Sequence, residues 1–347
     1  MRLAVAMSGG VDSSVAAALL KAQGHDVFGI TLRLCERVDP FPDSQKVADA
    51  LGIKLYSLDG RETFSKNVIA PFADSYARGE TPLPCALCNQ KIKFGLLMDR
   101  AKSLGAEALA TGHYAQRVET PSGIQLHKGA DQTRDQSYFL FQTTRDQLSF
   151  LRFPLGSFEN KAQTRDLAKK FQLPVSDKPD SQDICFVPNG DYASIVATLR
   201  PESVRPGDIV DEQGNVLGRH EGLIHFTIGQ RRGINLSNRV GEQNKPLYVL
   251  RLDAKSNRVV IGPRSALAQR EVFLRDINWI GEDVPETGLA VTVKLRSTQP
   301  PQKATFYKNG RLVLAEPTLG AAPGQAGVIY HGSRLLGGGW ISSLSPP

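Results

Sequence analysis

Two sets of residues in this 347-residue chain have types and spacings suited to chemistry: a glycine–serine turn at its start, and the cysteines Cys85, Cys88 and Cys185. The turn reads Ser8-Gly9-Gly10-Val11-Asp12-Ser13-Ser14 between an apolar run at 3–7 and a helix-like stretch at 15–23. Its glycines let the backbone approach an anion closely, and the helix start presents unpaired amides at its positive end. Ser13 and Ser14 add hydroxyl donors. A Walker loop requires G-x-x-x-x-G-K-[ST], and the lysine is missing here, so the pattern points to ATP split between its α and β phosphates for adenylation. The plainer reading is a strand-to-helix turn with no ligand. Seven matching residues at the first turn of the chain outweigh it.

Cys88, in Pro84-Cys85-Ala86-Leu87-Cys88-Asn89, precedes a helical run whose positive end would favour a thiolate, which makes it a candidate nucleophile. Cys185 lies nearly a hundred residues later in the polar stretch Asp180-Ser181-Gln182-Asp183-Ile184-Cys185-Phe186 and is its distant candidate partner. Three readings stand side by side: a redox C-x-x-C pair, three ligands of a metal or iron–sulfur site, and a relay in which one cysteine carries persulfide sulfur to a substrate. Zinc fits worst, because a second C-x-x-C or paired histidines are missing. Cys35, in Leu34-Cys35-Glu36, reads as a half-buried structural residue with no assigned role. Of six histidines only His113, directly after Gly112, falls where substrate should lie, although a structural loop histidine fits equally well. Asp135-Gln136-Ser137-Tyr138-Phe139-Leu140 offers polar groups to grip a ribose-phosphate chain, then aromatic residues to anchor a loop; alone it would pass for an ordinary loop entering a helix.

Strand-like runs at 3–7, 27–32, 54–58 and 106–110 alternate with amphipathic segments at 44–51 and 89–104, which predicts a parallel sheet covered by helices. Ligands of such sheets bind beyond the strand carboxyl ends, where the Ser8-Gly9-Gly10 turn and Thr111-Gly112-His113 both fall. After about Leu199 the texture becomes short β-rich runs separated by turns such as Arg205-Pro206-Gly207-Asp208 and Lys308-Asn309-Gly310-Arg311. A hairpin is expected from runs at 249–252 and 258–261, with residues 264–270 linking to a further unit. The expected domains are therefore 1–199, 200–264 and 265–347, the last a β-barrel.

The charge excess of +7 is uneven. Residues 1–199 carry 23 basic and 22 acidic side chains against 19 and 13 in residues 200–347, so the basic surplus sits behind the nucleotide loop and suggests a polyanionic substrate such as nucleic acid. No run of about 18 apolar residues occurs and the chain opens directly on a strand, which predicts no membrane partner and a cytoplasmic location. Four cysteines are too few for a disulfide scaffold and suit a reducing compartment.

Six motifs occur in one order: SGGVDSS, PCALCNQKIKF at 84–94, ATGHYA at 110–115, RDQSYFL at 134–140, DSQDICF at 180–186 and HFTIGQRRGI at 225–234. Together with Pro323-Gly324-Gln325-Ala326 they closely resemble the tRNA-specific 2-thiouridylase family along the whole chain. The resemblance implies an adenine-nucleotide alpha-hydrolase-like domain (a PP-loop, Rossmann-like parallel sheet), a small central β domain and a C-terminal β-barrel. It implies ATP with Mg2+ as cofactors, adenylation of the C2 oxygen of the wobble uridine, and sulfur carried as a persulfide on Cys185. Cys88 would then release the sulfur, leaving a Cys88–Cys185 disulfide for reduction. The nucleotide residues it implicates are Ala6, Met7, Ser8, Gly9, Gly10, Val11, Asp12, Ser13, Leu32 and Gly112. Those for tRNA are His113, Asp135, Gln136, Ser137, Arg296, Ser297 and Gln325; Arg231 and Arg232 are added here as phosphate contacts. A flipped loop base is expected, since the enzyme must reach its edge. A sulfur donor, a cysteine desulfurase or a sulfur-relay protein, is the implied partner.

The chain departs from the family where many members carry aspartate in place of Cys85 and asparagine in place of Leu83, and its segment after Cys35 is short. With Cys85 present, the thiolates of Cys85, Cys88 and Cys185 could instead hold a [4Fe-4S] cluster whose open iron binds hydrosulfide. The rivals in other classes are an amidating synthetase sharing the SGGVDS loop, which has no need of cysteines, and a tRNA-binding protein or redox sensor without catalysis.

Overall fold

The computed structural model describes every residue except 37–38, 180–183, 188–189, 235–245 and 343–347. Asp180, Ser181, Gln182 and Asp183 of the DSQDICF motif therefore lie outside the described residues. Residues 1–199 supply seven strands: β1 (Arg2–Ala6), β2 (Asp26–Arg33), β3 (Lys54–Asp59), β4 (Ala108–Ala110), β5 (Ala115–Thr120), β6 (Gly123–Lys128) and β7 (Leu151–Arg152). Five of them form one parallel sheet in the order β3-β2-β1-β4-β7. Near-continuous apolar strands such as Leu3-Ala4-Val5, all buried, are what a sheet covered on both faces requires. From β1 the chain winds outward to β3, then crosses to β4 on the other side. That reversal opens a crevice above the carboxyl ends of β1 and β4, where α1 (Val11–Ala22) starts.

The helix expected at 89–104 is not one regular α-helix. It begins earlier, with a turn at Pro84–Leu87, widens to a π-helix over Cys88–Leu96, and ends as an α-helix at Leu97–Ser103. The Gln147 side-chain amide donates to the Gln90 and Phe94 carbonyls at 3.3 and 2.8 Å, an outside donor inserted into the helix ladder. Widened turns of this kind concentrate at functional sites.

Behind Leu199, β8 (Gly207–Val210), β9 (Val216–His220), β10 (Leu247–Asp253) and β11 (Arg258–Pro263) make a small mixed sheet, and β10–β11 is the expected hairpin. Six further strands, β12 (Ala268–Trp279), β13 (Leu289–Lys294), β14 (Gln302–Phe306), β15 (Arg311–Leu319), β16 (Ala326–His331) and β17 (Arg334–Ile341), close into a barrel through β12–β17 pairing.

The antiparallel hairpin β5–β6 lies outside the parallel sheet, although it belongs to the first 199 residues. It pairs instead with the barrel, with Leu335 opposite Leu126 and Arg334 opposite His127. Sheet and barrel consequently share one apolar core, in which Phe28, Phe94 and Leu109 join Val328, Tyr330 and Leu335 through Tyr138 and Phe141. Each such large side chain, fully buried, contributes roughly 1.5–3 kcal/mol. Among the described residues no helix is long and apolar enough to cross a membrane.

Candidate active site

The turn after β1 has the shape its sequence requires. Gly9 takes φ +69°, and Gly10 stands at the start of α1 with no side chain capping the helix. Ser13 closes the loop: its hydroxyl accepts from the Ser8 amide at 3.2 Å and donates to the Gly10 carbonyl at 3.1 Å. Ser14 donates to the same carbonyl at 2.8 Å. Met7 and Val11 are buried beneath the loop, while Ala6 and Leu32 are half-buried at the strand ends bordering the crevice.

Two lysines that no local pattern signalled complete the loop. Lys161, first residue of the helix Lys161–Lys170, places its ammonium 2.5 Å from Asp12 Oδ1, to which the Tyr114 hydroxyl also donates at 2.7 Å. Tyr114 in turn meets Thr164 at 2.7 Å. Lys178 donates to the Gly9 carbonyl at 3.0 Å and to Asp43 at 2.7 Å, and this pairing holds the Asp43 carboxyl below its usual range. Cations on both flanks suit a loop that must receive phosphates.

Gly112 is the joint between the two loops. A Cβ at this position would lie 2.7 Å from the Ser13 amide nitrogen and 2.8 Å from the Asp12 carbonyl carbon, both backbone atoms. Gly112→Ala is therefore expected to push the loop after β4 off the start of α1. We expect about 1–3 kcal/mol of lost stability in thermal melts and at least a tenfold loss of ATP-dependent activity. Wild-type rates in the alanine variant would mean that the two loops need not touch.

His113 carries the contact onward. Its Nδ1 meets Thr111 Oγ1 at 2.8 Å and its Nε2 lies 3.4 Å from the Lys93 ammonium. Burial, with Lys93 adding to it, holds His113 well below the usual imidazole range, so the ring is neutral and its Nε2 accepts from Lys93. Lys93 stands five residues after Cys88 in the π-helix, one wide turn away on the same side.

All four cysteines are free thiols. Cys88 is buried in an apolar cluster with Phe64, Phe72, Ile92 and Phe186, and Phe186 makes edge-on contacts with Phe64 and Phe72 at 5.6 and 5.1 Å. The neighbour of Cys185 is thereby docked into the pocket that holds Cys88, bringing together two thiols that lie far apart in sequence. The expectation of a thiolate-favouring helix end at Cys88 is corrected. The helix has already begun at Pro84, and burial pushes the Cys88 thiol up, opposed by Lys93. Cys85 is raised by the same balance. Cys185 is exposed on its turn, yet the protein around its sulfur and then Cys88, Cys85 and Cys35 push it up to about 12. Among the described residues no group of three or more histidine, cysteine, aspartate or glutamate side chains is placed to hold a metal ion.

Several of the residues expected to meet RNA are already engaged within the protein. Asp135 Oδ1 accepts from the Gly129 and Ser137 amides at 3.0 Å each, and Gln136 Oε1 accepts from the Tyr114 amide at 3.0 Å. Ser137 is fully buried, its hydroxyl between Asp135 at 3.0 Å and the Tyr330 hydroxyl at 3.1 Å. Gln325 donates to the Thr81 carbonyl at 3.1 Å, just before the cysteine-bearing helix. Arg296 donates to the Gly320 carbonyl at 2.6 Å and lies beside Gly229 of the HFTIGQRRGI motif, while Ser297 next to it is half-buried. Arg231 and Arg232 are exposed.

The sequence matches three family descriptions in succession: a tRNA methyl transferase HUP domain over residues 1–189, a tRNA methyl transferase PRC-barrel domain over 196–263 and an aminomethyltransferase beta-barrel domain over 269–341. A tRNA-specific 2-thiouridylase MnmA of Rhodospirillum centenum is 53% identical over 98% of this chain and 91% of its own length. The MnmA proteins of Maricaulis maris and Neorickettsia sennetsu are 53% and 48% identical, over 99% and 98% of this chain and 88% and 95% of theirs. With the phosphate loop, the paired thiols and near-complete coverage of such relatives, this chain belongs to the tRNA-specific 2-thiouridylase family.

Proposed function

We propose that this chain is a tRNA-uridine 2-sulfurtransferase that adenylates the C2 oxygen of the wobble uridine with ATP and replaces it with sulfur carried on Cys185. The observation that carries the reading is the short path from phosphate loop to thiols: Asp12 and Ser13 abut Gly112, His113 follows it and meets Lys93, and Lys93 shares a helix face with Cys88. Domains 1–199, 200–264 and 265–347 would divide the work into nucleotide chemistry, RNA contact and RNA contact. The action is cytoplasmic, where reductants keep four free cysteines as thiols.

In this reading the amides of Ser8, Gly9 and Gly10 and the Ser13 hydroxyl hold the phosphates, flanked by Lys161 and Lys178. Ala6, Leu32 and Gly112 leave room for the adenosine. Mg2+ bound with ATP would neutralise phosphate charge, and Asp12 is the carboxylate of the loop that fits it. The uridine oxygen attacks the α-phosphorus and pyrophosphate leaves. The terminal sulfur of a Cys185 persulfide, loaded by a cysteine desulfurase or sulfur-relay protein, then adds at C2 and AMP departs with the former carbonyl oxygen. The Cys88 thiolate attacks the Cys185 sulfur; the sulfur–sulfur bond to the base breaks, its electron pair completing the thiocarbonyl. A Cys88–Cys185 disulfide remains, and a dithiol reductant restores it with two electrons and two protons. His113, Asp135, Gln136, Arg296, Ser297, Gln325, Arg231 and Arg232 contact or frame the tRNA, with Ser137 holding Asp135 from inside. Methyl transfer, which the family descriptions name, has no use for two thiols at an ATP loop.

The test is nucleoside mass spectrometry of unmodified tRNA incubated anaerobically with the protein, ATP, Mg2+ and a persulfide source. New 2-thiouridine that requires ATP is expected. Its absence although tRNA and ATP both bind would overturn the reading in favour of a binding protein.

A further inference from the structure

Two lysines that nothing above employs converge at the seam between the nucleotide domain and the barrel. Lys128 ends β6 and Lys294 ends β13; each residue is only 9% exposed. The Lys128 ammonium lies 4.4 Å above the Tyr330 ring and 3.4 Å from the Gly332 carbonyl, and that of Lys294 lies 5.9 Å from the Tyr138 ring. In the β13–β16 register Lys294 faces Val328 and Thr292 faces Tyr330, so Lys294 stands on the barrel's outer face, the one covered by the RDQSYFL segment.

Among the described residues neither lysine has a carboxylate within ion-pair distance, and the Lys294 ammonium makes no hydrogen bond. Its ammonium is nonetheless not sealed away from water: the stem is buried and the charged tip reaches solvent. The charged neighbours at this spot are Asp135, which favours the charged form of Lys128, and the two lysines themselves, which repel; Arg296 acts on Tyr138 from the same side. Burial pulls the Lys128 ammonium below the ordinary lysine range, with Lys294 adding to the pull. Holding two cations half out of water around a single carboxylate is unfavourable in the free protein, and a bound anion would relieve it.

We propose that Lys128 and Lys294 form a phosphate subsite that takes one phosphodiester of the tRNA at the seam between domain and barrel. The subsite rests on the tRNA reading given above and extends it. The tyrosine rings and buried stems fix both ammoniums, so the subsite sets where the RNA backbone crosses the seam rather than attracting it diffusely. Asp135 and Arg296 place it among the residues expected to meet the RNA.

The test uses the full-length protein and its Lys128→Met and Lys294→Met variants, which keep the apolar stem. Binding of unmodified tRNA is measured across a salt series, alongside thermal melting and ATP binding. The slope of log affinity against log salt is expected to fall in both variants, by about 0.7–0.9 for the two losses combined, and each variant to weaken binding several-fold at moderate salt. Melting should rise by about 2 °C as like-charge repulsion is lost, and ATP affinity should not move, which separates an RNA phosphodiester from the phosphates of the nucleotide. A wild-type slope in both variants overturns the subsite whichever way melting moves. Failure of the wild-type protein to bind tRNA at all would overturn the underlying reading, which the variants do not test.

Discussion

Replacing either Cys88 or Cys185 with serine is expected to abolish thiolation, by roughly a thousandfold or more, while tRNA binding stays within about twofold of wild type. A serine hydroxyl cannot carry a persulfide at position 185, and at 88 it cannot cleave the sulfur–sulfur bond. The two variants should fail at different points. With Cys88→Ser, the tRNA should stay joined to Cys185 through the sulfur–sulfur bond, a covalent adduct that an added thiol reductant splits and mass spectrometry detects. With Cys185→Ser, no sulfur should be retained.

Acidity gives a further handle on the same pair. Burial raises the Cys88 thiol and Lys93 lowers it, so the thiolate is scarce at neutral pH. Alkylation of Cys88 should accelerate about tenfold per pH unit from pH 7 upward, until pH passes the thiol's own pKa. Lys93→Gln, by removing the opposing charge, should slow it at any pH within that span. Cys85→Ser should cost little, because Cys85 has no step in the relay. A loss as deep as that of Cys88→Ser would instead indict a three-thiol ligand set.

Asp12→Ala is the second large effect. Asp12 Oδ1 gathers the Lys161 ammonium and the Tyr114 hydroxyl, and Tyr114 continues to Thr164, so one carboxylate orients the helix Lys161–Lys170 against the phosphate loop. Removing it takes away the acceptor that aims Lys161 and, in the proposed reaction, the carboxylate that would meet Mg2+. ATP–pyrophosphate exchange in the presence of unmodified tRNA should fall roughly a hundredfold, with tRNA affinity unchanged. Exchange within twofold of wild type would show that Asp12 only shapes the loop.

The phosphate loop was legible because its chemistry is local: consecutive residues supply the turn, the amides and the hydroxyls. The parallel sheet and the crevice at its switch point followed from apolar runs alternating with amphipathic ones. The union of Cys88 and Cys185 had no such signature, since it depends on Phe186 docking among Phe64 and Phe72. Lys161 and Lys178 are single cations in unremarkable segments, and only the fold brings them beside Asp12 and Gly9. The thiol acidities also went against expectation, because helix position could be read from the sequence and depth of burial could not. Hairpin β5–β6 escaped notice as part of the barrel because its partner strand, β17, follows about two hundred residues later.

That hairpin has a mechanical consequence. Main-chain hydrogen bonds from β6 to β17, backed by a continuous apolar core, rivet the barrel to the nucleotide sheet, so the two cannot swivel without breaking a strand pair. The spacing between the barrel and the loop after β1 is therefore a fixed gauge. The strands of the small mixed sheet, β8–β11, pair with neither, so no strand ladder welds that part to the other two.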